Sequence, residues 1–201
     1  MSFTTPFGST AMAGRLSLSL WDGMLLGGLL FLFCYMIWYR RRRTIRNLWR
    51  FLLFVYLGAV VSLTLPILLP SGICPTASSF EYAVNSINWT PFQASLLIYH
   101  NCQAIGNMGE FIRIVGGNFV MLMPLAVLVP LLHPRIRVWT MFFMGAGVSI
   151  SIEALQFLIG VLYGSPLRTV EIDDFLLNTA GCFLAYLLFM LVRRIFRLRS
   201  S

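Results

Sequence analysis

Four of the seven acidic residues in this chain stand in one short stretch, which runs from Glu153 to Gly181. Gln156 follows Glu153, and Arg168 is followed by Glu171, Asp173, Asp174 and Asn178. These residue types can do chemistry. A carboxylate removed from water resists ionisation and can act as a general acid or base, which makes Glu153 and Asp174 the candidate catalytic groups. A guanidinium can stabilise developing negative charge or hold a carboxylate or phosphate in two bonds, the role open to Arg168. Arg168 is also the natural counter-ion for Glu153, Glu171 or Asp174; beside it the Glu153 pKa falls, and without a partner it rises. Glu171, Asp173 and Asp174 are close enough in sequence to recruit a divalent cation, but the first turn of a helix favours acids as well. No Cys/His spacing suits zinc, so no metal site is assigned and no cofactor is expected. Nucleophile-elbow and phosphate-loop patterns are missing too.

Such residues matter only where elements hold them together. The chain has 201 residues, 58% hydrophobic and 11% charged, with a mean hydropathy of +0.81. Soluble domains carry roughly 25% charged residues, so the composition specifies an integral membrane protein. Five apolar runs approach the ~20 residues a spanning helix needs. They are Trp21–Tyr39, Leu48–Leu69, Glu110–Leu132, Val138–Leu162 and Phe175–Val192. A segment crossing lipid must satisfy its own backbone, so the expected fold is all-α, a polytopic bundle of about five transmembrane helices. Residues 1–20 read as a mobile tail, 21–192 as one transmembrane domain, 193–201 as a basic cytoplasmic tail.

All 15 basic residues are arginine. Arg40, Arg41, Arg42, Arg43, Arg46 and Arg50 follow the first run, Arg135 and Arg137 the third, Arg193, Arg194, Arg197 and Arg199 the fifth. The positive-inside rule makes that side cytoplasmic, with the N-terminus outside and the acidic residues facing outward. This placement marks topology and contact with anionic lipid rather than nucleic-acid binding.

The loop from Pro70 to Gly109 is expected on the outer side and partly helical. Ser79 is a candidate cap, and Pro91 a candidate first helical residue. Cys74 and Cys102 bracket the loop on the oxidising side and form a disulfide candidate; Cys34 and Cys182 lie in apolar runs and read as packing residues. His100 and His133 fall on opposite sides and cannot form one site. On the fourth run Gly145, Ser149, Glu153, Gln156 and Gly160 recur at helical spacing; Asp174, Asn178, Gly181 and Ala185 do so on the fifth. Asn118 lies below Glu110 and Arg113 on the third, with a kink expected at Pro124. These stripes are expected to meet in one outward-opening pocket. Its ligand-binding candidates are Asn88, Arg113, Asn118, Gln156, Arg168, Glu171, Asp173 and Asn178. The same network can instead hold helices in register without touching a ligand.

The block Glu153-x-x-Gln156, Arg168-x-x-Glu171-x-Asp173-Asp174-x-x-x-Asn178-x-x-Gly181 resembles the signature of the VanZ-like family of bacterial membrane proteins. Asn118 with Pro124-Leu125, and Asn88-Trp-Thr-Pro91-Phe92, are similar to two further family elements; Ala126 and Glu171 depart from its usual Gly and Asp. The resemblance covers roughly Asn88 to Tyr186. It implies a multi-pass protein of the bacterial cytoplasmic membrane. The family's founding member is associated with resistance to teicoplanin, a glycopeptide with a lipid tail that targets cell-wall precursors. The first functional expectation is an envelope protein whose pocket binds membrane lipid or a lipid-linked precursor head group. The second is a membrane-embedded hydrolase or transferase using Glu153 or Asp174 as acid/base and Arg168 as anion stabiliser. A proton carrier centred on Glu153 is the third.

Overall fold

The computed structural model describes residues 19–39, 45–65, 77–163 and 169–199. Five helical stretches in it are long and apolar enough to cross a membrane: Leu20–Ile37, Ile45–Thr64, Met108–Leu132, Val138–Leu162 and Ile172–Phe196. Each overlaps one of the expected runs, residues 66–69 of the second lying outside the described residues, and among the described residues there is no β-strand.

Helix α1 (Leu20–Cys34) opens on a capping box in which Ser19 and Asp22 satisfy each other's backbone N–H groups. It relaxes into a π-helical turn at Tyr35–Tyr39. Helix α2 (Ile45–Thr64) returns alongside it. Gly23, Gly27 and Gly58 let these two backbones touch: a β-carbon at Gly27 would overlap the Phe54 carbonyl, and one at Gly58 the Gly23 carbonyl. Small residues at helical spacing are the usual means of close helix approach in lipid.

Two short helices, α3 (Ala77–Asn85) and α4 (Gln93–Ile105), lie between the second and third spans. The third span is broken. It consists of α5 (Met108–Phe111), a π-helical segment Ile112–Gly116, α6 (Gly117–Met121) and α7 (Met123–Leu132). The break falls at Leu122, where φ is −95° and ψ 2°, so Pro124 begins a new helix rather than merely bending an old one. The Tyr56 hydroxyl of α2 donates to the Met121 carbonyl over 2.9 Å, supplying a partner where the helical ladder is interrupted.

Helices α8 (Val138–Tyr163) and α9 (Ile172–Arg199) complete the bundle. Helix α9 is the hub, packed against α6, α7 and α8. A β-carbon at Gly181 would overlap the Phe119 carbonyl of α6, and one at Gly145 would lie 2.9 Å from the Cys182 sulfur, so both glycines set interhelical distance. Leu122, Met141, Cys182 and Tyr186 are the tightly buried centre. Helix α9 continues past its apolar run, carrying Arg193 and Arg194 as helical residues. Alternating helix directions gather the acidic residues at one end of the bundle and Arg46, Arg50, Arg135, Arg137, Arg193 and Arg194 at the other; these are the acidic and basic ends below.

Candidate functional site

The acidic end is organised by one backbone pairing. The Asn88 N–H donates to the Val170 carbonyl over 2.9 Å, and the Ile172 N–H donates to the Asn88 carbonyl over 3.1 Å. This parallel bridge pairs Asn88 with Glu171 and fastens the α3–α4 loop to the entrance of α9. The Asn88 side-chain oxygen accepts from the Thr90 N–H over 3.1 Å, closing a local turn. The Glu171 N–H in turn donates to Glu153 Oε2 over 3.3 Å.

Asp173 has a structural task. It is 2% exposed. One carboxylate oxygen accepts the Phe92 N–H; the other accepts the Ser95 N–H over 2.9 Å and the Ser95 hydroxyl over 2.7 Å. Asp173 therefore caps α4 from a different helix, supplying acceptors that the start of α4 would otherwise lack. This moves the start of α4 from the expected Pro91 to Gln93, with Phe92 as the cap residue. Phe92 sits in the left-handed region at φ 63°, a conformation that costs roughly 1–2 kcal/mol. Its N–H then points at Asp173. In α3 the helix likewise starts at Ala77, ahead of the expected cap Ser79.

Gln156 and Asn178 are buried as well. Gln156 Nε2 donates to the Thr64 carbonyl over 2.9 Å, satisfying the last turn of α2. Asn178 Nδ2 donates to Ser149 Oγ over 3.2 Å and joins α9 to α8. The expected α8 stripe is thus the buried face, with Ser149, Glu153 and Gln156 all turned inward.

The remaining candidates border open space, divided into two compartments. The larger, about 760 Å³, lies between α2, the broken third span and the start of α9. Its polar wall is Tyr56, Arg113, Asn118, Thr169, Glu171 and Asp174, and Ile98 of α4 contributes to its apolar wall. Asn118 Nδ2 donates to Asp174 Oδ1 across it. Arg113 is 74% exposed and pairs with Glu110 one helical turn away. The smaller compartment, about 440 Å³, is an apolar groove lined by Trp89, Ile150, Phe157 and Phe175, with Glu153 and Asn88 at its edge. Glu171 borders both compartments. Burial raises its pKa above the ordinary carboxylate value, reinforced by the nearby charges of Asp174 and Asp173.

Among the described residues, the single pocket expected from the helical stripes is divided between two compartments. Glu153 and Asp174, the acid/base candidates, border different compartments, because the Asn88–Glu171 bridge runs between them. Asp173, Gln156 and Asn178 line neither. Of the three neighbouring carboxylates, Asp173 is taken up by α4 and Asp174 by Asn118. Among the described residues no three His, Cys, Asp or Glu side chains converge as a metal ion requires. Arg168 and Cys74 lie outside the described residues, and Cys102 carries a free, buried thiol on α4. Tyr56, Thr169, Phe157 and Phe175 carry no sequence signal for the site, and Trp89 carries one only as part of the Asn88–Phe92 element. Tyr56 reads as one more apolar-run residue until α2 meets the break in the third span.

A family model described as VanZ/LLP1 matches residues 51–193. No curated protein and no solved structure matches the chain. The matched stretch holds all or most of four of the five long apolar helices and every residue of both compartments.

Proposed function

The chain belongs to the VanZ/LLP1 family of multi-pass membrane proteins, and from that premise we propose that it binds an amphiphile of the cell envelope at its acidic end. The observation that carries the reading is the pair of compartments meeting at Glu171, the larger with a polar wall set among apolar residues and the smaller almost wholly apolar. Binding sites combine apolar walls with a few convergent polar groups, and this pair separates the two along the direction in which an amphiphile separates them. The polar wall of the larger compartment takes the head group. Glu171 and Asp174 accept from its hydroxyl or amine donors, Asn118 adds an amide, and Arg113 meets an anionic group such as a phosphate. The groove beside Trp89 and Phe157 takes the first part of the hydrocarbon tail. A lipid-linked envelope precursor and a lipid-tailed glycopeptide both have this form. Resistance to teicoplanin-type antibiotics would follow from sequestering or shielding either one. The acidic end faces outward in this reading, and the membrane is the bacterial cytoplasmic membrane.

Hydrolase or transferase chemistry is the weaker reading. Glu153 and Asp174 border separate compartments, so they cannot serve as an acid–base pair at one reacting centre and only one of them could act there.

Mass spectrometry of lipids co-purified with the full chain tests the proposal. A head-group class enriched over the bulk membrane is expected with wild type and lost with Asn118→Ala and Arg113→Ala. Co-purified lipid that mirrors the bulk membrane in all three proteins overturns it. If expression protects cells against a lipid-tailed glycopeptide but not an untailed one, the tail groove is engaged. Equal protection against both removes the groove from the argument.

A further inference from the structure

The basic end also holds a pocket, separate from the two compartments above. It has a volume of about 550 Å³ and is lined by Arg46, Leu132, His133, Pro134, Arg135 and Ile136. Arg46 comes from the first turn of α2; the others come from the end of α7 and its connection to α8. We propose that this pocket binds the phosphate of an anionic phospholipid from the leaflet at the basic end.

Four observations support it. The first is charge. Arg46 and Arg135 are exposed, and neither has a carboxylate partner; the ion pair found among the described residues is Arg113–Glu110, at the other end. All seven acidic residues of the chain belong to the acidic end. A phosphate is thus the counter-charge this end lacks, and guanidinium groups match its geometry through paired N–H donors.

The second is preorganisation. The α7–α8 connection is held in one shape by a bond within it and by two from α9. The Ile136 N–H donates to the His133 carbonyl over 3.1 Å. The Tyr186 hydroxyl donates to the Ile136 carbonyl over 2.9 Å, and Arg193 Nη1 donates to the Pro134 carbonyl over 3.1 Å. Arg135 therefore projects from a fixed turn, which lowers the ordering cost of binding.

Depth is the third. Spans begin at Ile45 and Val138 and end at Leu132, so the pocket lies at the membrane boundary by chain position. Trp139, 68% exposed, follows directly, as an interfacial aromatic anchor does. The fourth is the mixed lining. Leu132 and Ile136 place apolar surface beside the two guanidiniums, which suits a phosphodiester carrying acyl chains better than free phosphate. Basic pockets between transmembrane helices are a recurrent way to hold anionic lipid head groups.

The test uses the full chain in mixed micelles, titrated with phosphatidylglycerol or phosphatidylcholine and read by bound-lipid mass spectrometry. Wild type is expected to retain phosphatidylglycerol selectively. The Arg46→Gln/Arg135→Gln double variant is expected to bind it roughly thirtyfold more weakly. Arg194→Gln, outside the pocket, retains most of the binding. Inorganic phosphate at the same concentration is expected not to displace the lipid; displacement would mean a free-anion site and overturn the lipid assignment. Equal binding by wild type and the double variant also overturns it. A photoactivatable phosphatidylglycerol gives a readout on unmodified protein: cross-links at Arg46 or within residues 132–136 support the site, and cross-links confined elsewhere refute it.

Discussion

Two groups of polar residues share the acidic end and do different work. Asp173, Gln156 and Asn178 turn inward and close hydrogen bonds of the scaffold: to the start of α4, to the end of α2, and to Ser149 of α8. Arg113, Asn118, Glu171 and Asp174 border the larger compartment. By type and spacing the two groups are indistinguishable. Asp173 and Asp174 are adjacent, yet about 100° of helical turn points one at α4 and the other at Asn118. A polar side chain in lipid is not by itself a ligand contact. Some of these residues satisfy backbone groups left open by helix ends, which in a membrane have few alternatives.

The sharpest break of this contrast is Asp173→Ala. It leaves the Phe92 and Ser95 N–H groups without their carboxylate and should destabilise the protein by about 2–4 kcal/mol. The expected signs are a lower thermal midpoint in detergent and early proteolysis at α4. Wild-type stability would show that α4 needs no cap. Next comes Gln156→Leu, which removes the donor to the Thr64 carbonyl while keeping bulk. A loss of about 1–2 kcal/mol is expected in thermal or denaturant unfolding, with lipid co-purification unchanged in the fraction that folds.

Arg113→Ala should reverse that pattern. Its ion pair is exposed, so stability should change by less than about 1 kcal/mol while head-group binding falls. A large drop in thermal midpoint with lipid retention intact would place Arg113 in the scaffold group instead. The smallest effect belongs to Glu171→Gln. In the folded protein the Glu171 pKa lies above its ordinary value of 4.5. The native state therefore favours the neutral form, and this contribution to stability fades as pH rises through the raised value. The variant should be slightly more stable than wild type at pH 7, and the gap should close as pH falls below about 4.5, where both side chains are neutral. A gap that widens on acidification would mean that Glu171 is held ionised.

Much of the fold is legible in the chain. The five apolar runs fall where the helices form, because in lipid a run of that length has few alternatives to helix. The α8 stripe of Ser149, Glu153 and Gln156 is legible for a similar reason, since helical periodicity assigns all three to one face. The seam of Gly23, Gly27 and Gly58 has a fainter signal, two glycines one helical turn apart on α1 and a single glycine on α2. The site was legible as a set of residues and not as a geometry. Nothing local announces that Asp173 will cap a helix starting 80 residues earlier, or that Gln156 will close α2 across a separation of 92 residues.

By itself the sequence determined which segments span, which end collects acid and which collects arginine, and that the stretch from Glu153 to Gly181 holds the polar residues of interest. Hydrophobic length, charge position and helical period are local quantities, and each is written in consecutive residues. The tertiary structure alone decided which polar side chains complete the scaffold and which are left facing space. It also decided that one expected pocket is two. The Asn88–Glu171 pairing that divides them is made by backbone groups, which every residue carries and no sequence pattern reports.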